Sequence, residues 1–275
     1  MIVLSFPMIS AKVGNLPSPR RAGRFAAAFL GAAVFLGLGV VQAGPAHAIA
    51  NGQPVPEGSY RFSVKLTMTG IPTASGGRRN SACSGALIHP SWVITAGHCF
   101  RDINGVRVER PVADLTTATV GRADLSGTNG HVATVVAVRQ SPTNDIALVR
   151  LDTPITDIQP LRYVRTTPQV GQVLRITGYG ADNSENPQPS TILRTGQVKV
   201  ASVATSTLGV TGYAPAPDTS ACPYDSGAPY FAESKGKRPV LVSVESTGPN
   251  CPHADVETTS RVDTIVPWIK SAIGG

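Results

Sequence analysis

Residues 222–231 read CPYDSGAPYF, and the interpretation of the whole chain depends on this stretch. Ser226 lies between an aspartate and a glycine, and the nearby glycine and prolines predict a turn rather than a regular strand. An Asp-Ser-Gly sequence on its own is usually a structural turn. Its meaning therefore depends on whether the chain also supplies residues that can activate the serine hydroxyl.

Two apolar segments carry such residues. Residues 83–100 read CSGALIHPSWVITAGHCF, with His98 at the end of the apolar run, and residues 144–151 read NDIALVRL, with Asp145 at its start. A serine hydroxyl is a poor nucleophile at neutral pH until an imidazole accepts its proton, and a buried carboxylate holds that imidazole in one tautomer. Each motif is weak alone, but together they supply the three groups that this chemistry needs.

In the order His, Asp, Ser, the motifs resemble those of the chymotrypsin-like (trypsin-like) serine proteases. The family's TAAHC, DIALL and GDSGGP correspond here to TAGHC, DIALV and YDSGAP. ITGYG (residues 176–180) and VPWIK (residues 266–270) are similar to the family's VTGWG and VDWIK and follow in the same order. The resemblance implies a bacterial-type member without an obvious propeptide, folded as two six-stranded antiparallel β-barrels of chymotrypsin type with a C-terminal α-helix.

The residue pattern independently favours an all-β fold, because short β-branched runs alternate with glycine, proline and asparagine. Helical spacing is evident in residues 262–273, whose apolar side chains fall on one face. We expect residues 49–165 to form the N-terminal barrel with the histidine and aspartate. Residues 166–275 are expected to form the C-terminal barrel with the serine, followed by the terminal helix.

The first 48 residues predict a signal peptide that is removed. Residues 1–24 hold four basic residues and no acidic one, residues 25–41 are apolar, and AHA at residues 46–48 is a cleavage pattern. The apolar run is at the lower limit for a membrane span, which favours export over anchoring. We therefore expect a secreted protein that does not associate with a membrane after the leader is removed. A start at Met8 and a twin-arginine route stay open.

Charge and cysteine content limit the classes of partner. Four of the 24 basic residues lie in the leader, which leaves 20 against 17 acidic residues and no basic stripe for nucleic acid. No spacing is typical of a zinc site, so we expect neither a metal nor another cofactor. We expect protein or peptide substrates and a monomer. The four cysteines allow three disulfide pairings, and the resemblance implies Cys83 with Cys99 and Cys222 with Cys251.

The resemblance also implies the catalytic roles. Ser226 attacks the scissile carbonyl, His98 is the general base and then the general acid, and Asp145 orients His98. The backbone N–H groups of Tyr224 and Ser226 form the oxyanion hole. The family has glycine where Tyr224 stands, in a conformation that other residues adopt only at a cost.

That cost motivates an alternative, a catalytically impaired homologue that acts as a binding protein on the same fold. A secreted esterase is disfavoured because the chain lacks the Gly-x-Ser-x-Gly elbow and has a different triad order.

The same resemblance pairs the free amine of Ile49 with Asp225. Cleavage after Ala48 would release that amine, so signal removal itself would mature the enzyme. Ser220, six residues before Ser226, is expected at the base of the substrate pocket, and this neutral residue favours large apolar or aromatic side chains. Four further residues are expected to bind substrate: Ser246, Thr247, Gly248 and Glu257. Because Asp218 is two positions from Ser220, and Asp255 and Glu257 are expected at the far pocket wall, a preference for Arg or Lys stays open.

Overall fold

The structure, a computed structural model, describes residues 48–274. The predicted signal peptide lies outside these residues, apart from Ala48. Fourteen strands and one α-helix form within the described range. The strands are β1 (Gln53–Pro54), β2 (Ser63–Pro72), β3 (Arg78–His89), β4 (Trp92–Ala96), β5 (Leu115–Val120), β6 (His131–Gln140), β7 (Ile146–Leu151), β8 (Arg162–Tyr163), β9 (Val173–Gly178), β10 (Arg194–Val203), β11 (Thr207–Ala214), β12 (Pro229–Ala232), β13 (Val240–Thr247) and β14 (Glu257–Arg261).

The first barrel closes from six antiparallel strands in the order β2-β3-β4-β7-β6-β5. Inward-facing side chains such as Val64, Leu66, Ile94 and Leu148 are fully buried in its core. Each buried aliphatic side chain of this size stabilises the fold by about 1.5–3 kcal/mol relative to exposure. The β-branched runs therefore supply both the strand propensity and the core.

The second barrel contains β9-β10-β11-β14-β13-β12, and β12 pairs back to β9. Together the two closed sheets confirm the predicted pair of six-stranded antiparallel barrels. Two short strands from the predicted N-terminal domain are added to the second barrel, because β1 pairs with β10 and β8 pairs in parallel with β13. The domain boundary between residues 165 and 166 stays a prediction.

The chain ends in helix α1 (Val266–Gly274), which a 3-10 turn precedes at Asp263–Ile265. The helix thus begins later than the apolar spacing predicts, and Pro267 fits in its first turn because that position needs no N–H donor. Ile265 and Ile269 are buried in the same cluster as the first-barrel core. None of the helices in residues 48–274 is both long and apolar enough to span a bilayer.

The two barrels meet along β2 and β3 of the first and β9 of the second. The backbone N–H of Ser84 donates to the carbonyl oxygen of Ser226 at 2.9 Å, and the hydroxyls of Ser63 and Thr177 lie 2.8 Å apart. These bonds attach the serine-bearing segment directly to a strand of the first barrel. The junction between the barrels is therefore where the predicted site residues meet.

Candidate active site

Three predicted catalytic side chains form one hydrogen-bonded chain across this junction. His98 lies in a 3-10 turn directly after β4, and Asp145 directly precedes β7, the antiparallel partner of β4. The Nδ1 atom of His98 is 2.6 Å from Oδ2 of Asp145, and its Nε2 atom is 2.8 Å from Oγ of Ser226. The backbone N–H of His98 also donates to Oδ1 of Asp145 at 2.8 Å.

The surroundings of Asp145 keep its carboxylate ionised. Burial alone would raise the pKa of Asp145, but hydrogen bonds from His98 and Ser246 outweigh it and hold that pKa below its ordinary value. The hydroxyl of Ser246 donates to Oδ2 at 2.8 Å, and Nη1 of Arg107 is 3.7 Å from Oδ1. An ionised carboxylate only accepts hydrogen bonds, so it fixes the proton of His98 on Nδ1 and leaves Nε2 free to accept from Ser226.

The segment around Ser226 adopts a backbone that favours glycine on both sides of Asp-Ser. Tyr224 has φ +75°, in the left-handed region where a residue with a β-carbon costs about 1–3 kcal/mol. Gly227 has φ +83°, and a Cβ there would lie 2.5 Å from two backbone atoms of the first barrel. Within residues 48–274, no hydrogen bond uses the backbone N–H of Tyr224 or Ser226. Both donors are therefore available to an incoming oxygen.

Asp225 points away from solvent and is completely buried. Its Oδ2 accepts from the backbone nitrogens of Ile49 at 3.3 Å and Cys222 at 3.1 Å, and its Oδ1 accepts from Gly180 at 2.7 Å. A Cβ on Gly180 would lie 2.3 Å from this carboxylate, so the close approach requires glycine. Burial raises the pKa of Asp225 to about 7, although these hydrogen bonds and the charge of Lys65 oppose the rise.

A cavity of about 300 Å³ opens beside Ser226. Of the predicted substrate-binding residues, Ser246, Thr247 and Gly248 line it. Ser220 is not among the lining residues, because its side chain is 1% exposed and its Oγ accepts the backbone N–H of His253 at 3.3 Å.

Two buried glutamates lie in or just behind the wall of this cavity. Glu245 lines it directly, and Glu257 lies behind Gly248, where an added Cβ would be 3.1 Å from Cγ of Glu257. The hydroxyl of Tyr230 is 2.8 Å from a carboxylate oxygen of each glutamate. Burial and the charge of Glu257 raise the pKa of Glu245 well above its ordinary value. Nε2 of His253 lies 3.3 Å from Oε1 of Glu257, and this contact raises the pKa of His253 above its ordinary value.

A family model described as Trypsin matches residues 49–269, which is most of the chain. The chain belongs to the trypsin family. Its similar proteins include serine protease 56 of Mus musculus, 30% identical over 242 residues that cover 78% of this chain and 36% of that protein. Serine protease 56 of Homo sapiens is 30% identical over 231 residues, 74% of this chain and 35% of that protein.

A third relative is the suppressor of tumorigenicity 14 protein homolog of Bos taurus, 26% identical over 252 residues that cover 82% of this chain. The alignments span only 28–36% of the lengths of these three relatives. All three are animal proteins, so they give no support to the predicted bacterial-type assignment, which stays a prediction.

The four cysteines of this trypsin-family protein form two disulfides, Cys83 with Cys99 and Cys222 with Cys251. The first ties β3 to the turn that carries His98. The second ties the segment that carries Ser226 to the loop between β13 and β14. Each disulfide therefore restrains one segment that carries a predicted catalytic residue.

Sequence reasoning missed two charged residues of this region, Glu245 and Lys65. Each stands in an apolar strand segment, within PVLVSVES and FSVKL respectively, and each is only 4% exposed. A charge in a strand that is otherwise buried is the signal that could have identified them, because buried charges need specific partners.

Proposed function

We propose that this trypsin-family protein is a secreted serine endopeptidase that hydrolyses peptide bonds through an acyl-enzyme. The observation that carries the proposal is the continuous hydrogen-bonded chain from Ser226 through His98 to Asp145, with distances of 2.8 and 2.6 Å. Both distances are suited to proton transfer by a general base that a carboxylate orients.

The reaction follows from these positions. As Oγ of Ser226 bonds to the scissile carbonyl carbon, Nε2 of His98 takes the hydroxyl proton and Asp145 stabilises the resulting imidazolium. The carbonyl oxygen becomes an oxyanion, which accepts hydrogen bonds from the backbone N–H groups of Tyr224 and Ser226. His98 then gives its proton to the leaving nitrogen as the C–N bond breaks. A water molecule repeats the sequence on the acyl-enzyme, releases the acid and restores the serine.

The cavity favours a cationic substrate side chain, which is the Arg/Lys alternative that the sequence leaves open. Negative charge on the pair Glu245 and Glu257 lies beside the cavity, and the one ion pair that either glutamate forms within residues 48–274 is with Nε2 of His253, 3.3 Å from Glu257. An incoming ammonium or guanidinium would compensate that charge. The neutral pocket floor predicted at Ser220 would instead favour an apolar side chain, but Ser220 does not line the cavity.

Maturation by cleavage after Ala48 is supported by the position and the backbone conformation of Ile49. In the described chain its nitrogen is an amide 3.3 Å from Asp225, and the residue has φ +51°. A β-branched residue in this region is strained by roughly 1–3 kcal/mol. Cutting the Ala48–Ile49 bond removes this constraint and replaces the amide with an ammonium beside a buried carboxylate. We propose that export of the leader produces this end and that the secreted protein acts as a monomer.

The rival function, a binding protein without catalysis, depends on a distorted oxyanion hole at Tyr224. The φ of +75° at Tyr224 favours the enzyme, because the tyrosine adopts the backbone expected of glycine.

The test is to express the full chain with its leader, collect the exported protein and determine its N-terminus. We expect a start at Ile49 and cleavage of a peptide library, preferentially after Lys or Arg, that is lost in Ser226→Ala and His98→Ala. A folded, correctly processed protein that cleaves no peptide would support the rival.

A further inference from the structure

Lys65 is a buried cation that the proposed mechanism does not use. It lies in β2, only 4% exposed, and none of the ion pairs among residues 48–274 includes it. Its Nζ donates to the carbonyl oxygen of Tyr179 at 2.8 Å and lies 3.5 Å from that of Ser190. The same nitrogen lies 5.8 Å from the centre of the Tyr179 ring. A lysine buried without a carboxylate in contact is costly, so a compensating interaction is expected nearby.

That interaction passes through a single peptide group. The carbonyl oxygen of Tyr179 and the N–H of Gly180 belong to the same peptide, and this N–H donates to Oδ1 of Asp225 at 2.7 Å. The ammonium of Lys65 therefore polarises the peptide from one end while the carboxylate polarises it from the other. Hydrogen bonds aligned in this way strengthen one another.

The two oxygens of Asp225 receive different partners. Oδ2 faces the nitrogen of Ile49 and Oδ1 faces the peptide that contacts Lys65. The same region holds Tyr224, because Oγ of Ser84 accepts from the backbone N–H of Tyr179 and donates to the carbonyl oxygen of Tyr224. The lysine-bound segment is thus connected to Tyr224 and to Asp225, the two residues that precede Ser226.

The charges around this segment are consistent with an interacting pair. Burial lowers the pKa of Lys65 to about 8, although Asp225 opposes the fall. Burial raises the pKa of Asp225 to about 7, although Lys65 opposes that rise. Other charged groups also act here, since Glu57 and Arg122 influence the pKa of Tyr179, and Glu257 and Asp145 influence that of Glu245. Burial, together with the charge of Glu257, raises the pKa of Glu245, and burial raises that of Tyr179.

We propose that Lys65 is a positioning residue that holds Asp225 ionised and directed inward through the Tyr179–Gly180 peptide, as a second cation besides the Ile49 amine. The inference rests on the proposed function, because its effect is read at Ser226. It implies that two groups hold Asp225 in place, the Ile49 nitrogen at Oδ2 and the Lys65-bound peptide at Oδ1. The contact through Lys65 exists before the Ile49 amine is released.

The test compares the exported wild type with Lys65→Gln, Lys65→Arg and Lys199→Gln. Glutamine keeps a donor for Tyr179 without the charge, arginine stays charged through pH 10, and Lys199 is an exposed control. The rate at which a fluorophosphonate modifies Ser226 is measured from pH 6 to 9. The rates at pH 7 are compared between proteins, and the shape of each pH profile is compared after division by that protein's rate at pH 7.

We expect Lys65→Gln to react about 10-fold more slowly at pH 7, because an inner cation is lost. The wild-type rate should fall as the pH rises through about 8, Lys65→Arg should not show this fall, and Lys199→Gln should match the wild type. A folded Lys65→Gln with wild-type rates at every pH would overturn this inference alone. If Lys65→Gln does not fold, identical profiles for wild type and Lys65→Arg would overturn it. An unmodified wild type would contradict the proposed function and this inference together.

Discussion

The contribution of Asp225 to stability should change sign when the chain is cut before Ile49. Its pKa of about 7 in the uncut chain is above the ordinary value of 3.8. The folded chain therefore binds this proton more tightly than the unfolded chain. Linkage then requires the contribution of Asp225 to the free energy of unfolding to be highest below about pH 4 and to fall as the pH rises towards 7. A shift of about 3 pH units corresponds to a loss of about 4 kcal/mol.

Cutting after Ala48 should remove this loss. The nitrogen of Ile49 then carries a positive charge 3.3 Å from Oδ2, and ionisation of Asp225 becomes favourable. In the cut chain, Asp225→Asn leaves a buried ammonium without its partner, which costs about 3–5 kcal/mol. In the uncut chain the same substitution should abolish the loss between pH 4 and 7.

The assay is urea unfolding at pH 4.5 and pH 8 of two refolded forms, one beginning at Ile49 and one that keeps an extension before it. Asp225→Asn is made in both forms. Asp114→Asn is the control, because among residues 48–274 this carboxylate pairs only with Arg78, in an exposed ion pair, and its loss should change stability by no more than about 1 kcal/mol. Identical pH dependence in the two forms, with the same cost for Asp225→Asn, would refute the reasoning.

Three further predictions concern the site. Ser246→Ala removes a donor 2.8 Å from Asp145 and should lower kcat about 10-fold with little change in KM, measured by steady-state kinetics. Glu257→Gln should lower kcat/KM about 10-fold for substrates cleaved after Lys or Arg, and an equal loss for those cleaved after Phe would contradict the pocket assignment. Gly227→Ala should cost more than about 3 kcal/mol by urea unfolding, because of its φ of +83° and 2.5 Å backbone contacts; wild-type stability would contradict this.

The part of the site that short motifs encode could be predicted from the sequence. His98 and Asp145 lie beside β4 and β7, whose antiparallel pairing brings them together although they are 47 residues apart. The β-branched runs predict an all-β fold, whereas the pair of six-stranded barrels was implied by the family resemblance and not by the strand pattern. For Tyr224, the sequence predicted only that a residue with a β-carbon would pay a conformational cost where the family has glycine. The structure shows that Tyr224 keeps the positive φ typical of glycine.

Contacts between distant strands could not be predicted in this way. Lys65 and its acceptor Tyr179 are 114 residues apart in the sequence. The residue pattern of β2 gives no information about which distant segment packs against Lys65. Glu245 shares Tyr230 with a glutamate from another strand, β14, so neither strand alone indicates that the two carboxyl groups lie together. The start of helix α1 differs from the apolar spacing because residues 263–265 form a 3-10 turn instead of the first helical turn.

The most direct test of the central claim is the mass of the exported protein after reaction with a fluorophosphonate. The account predicts one adduct per chain, located on Ser226 by peptide mapping, and no adduct in Ser226→Ala or after heat unfolding. A folded protein with both disulfides formed and no adduct on Ser226 would contradict it.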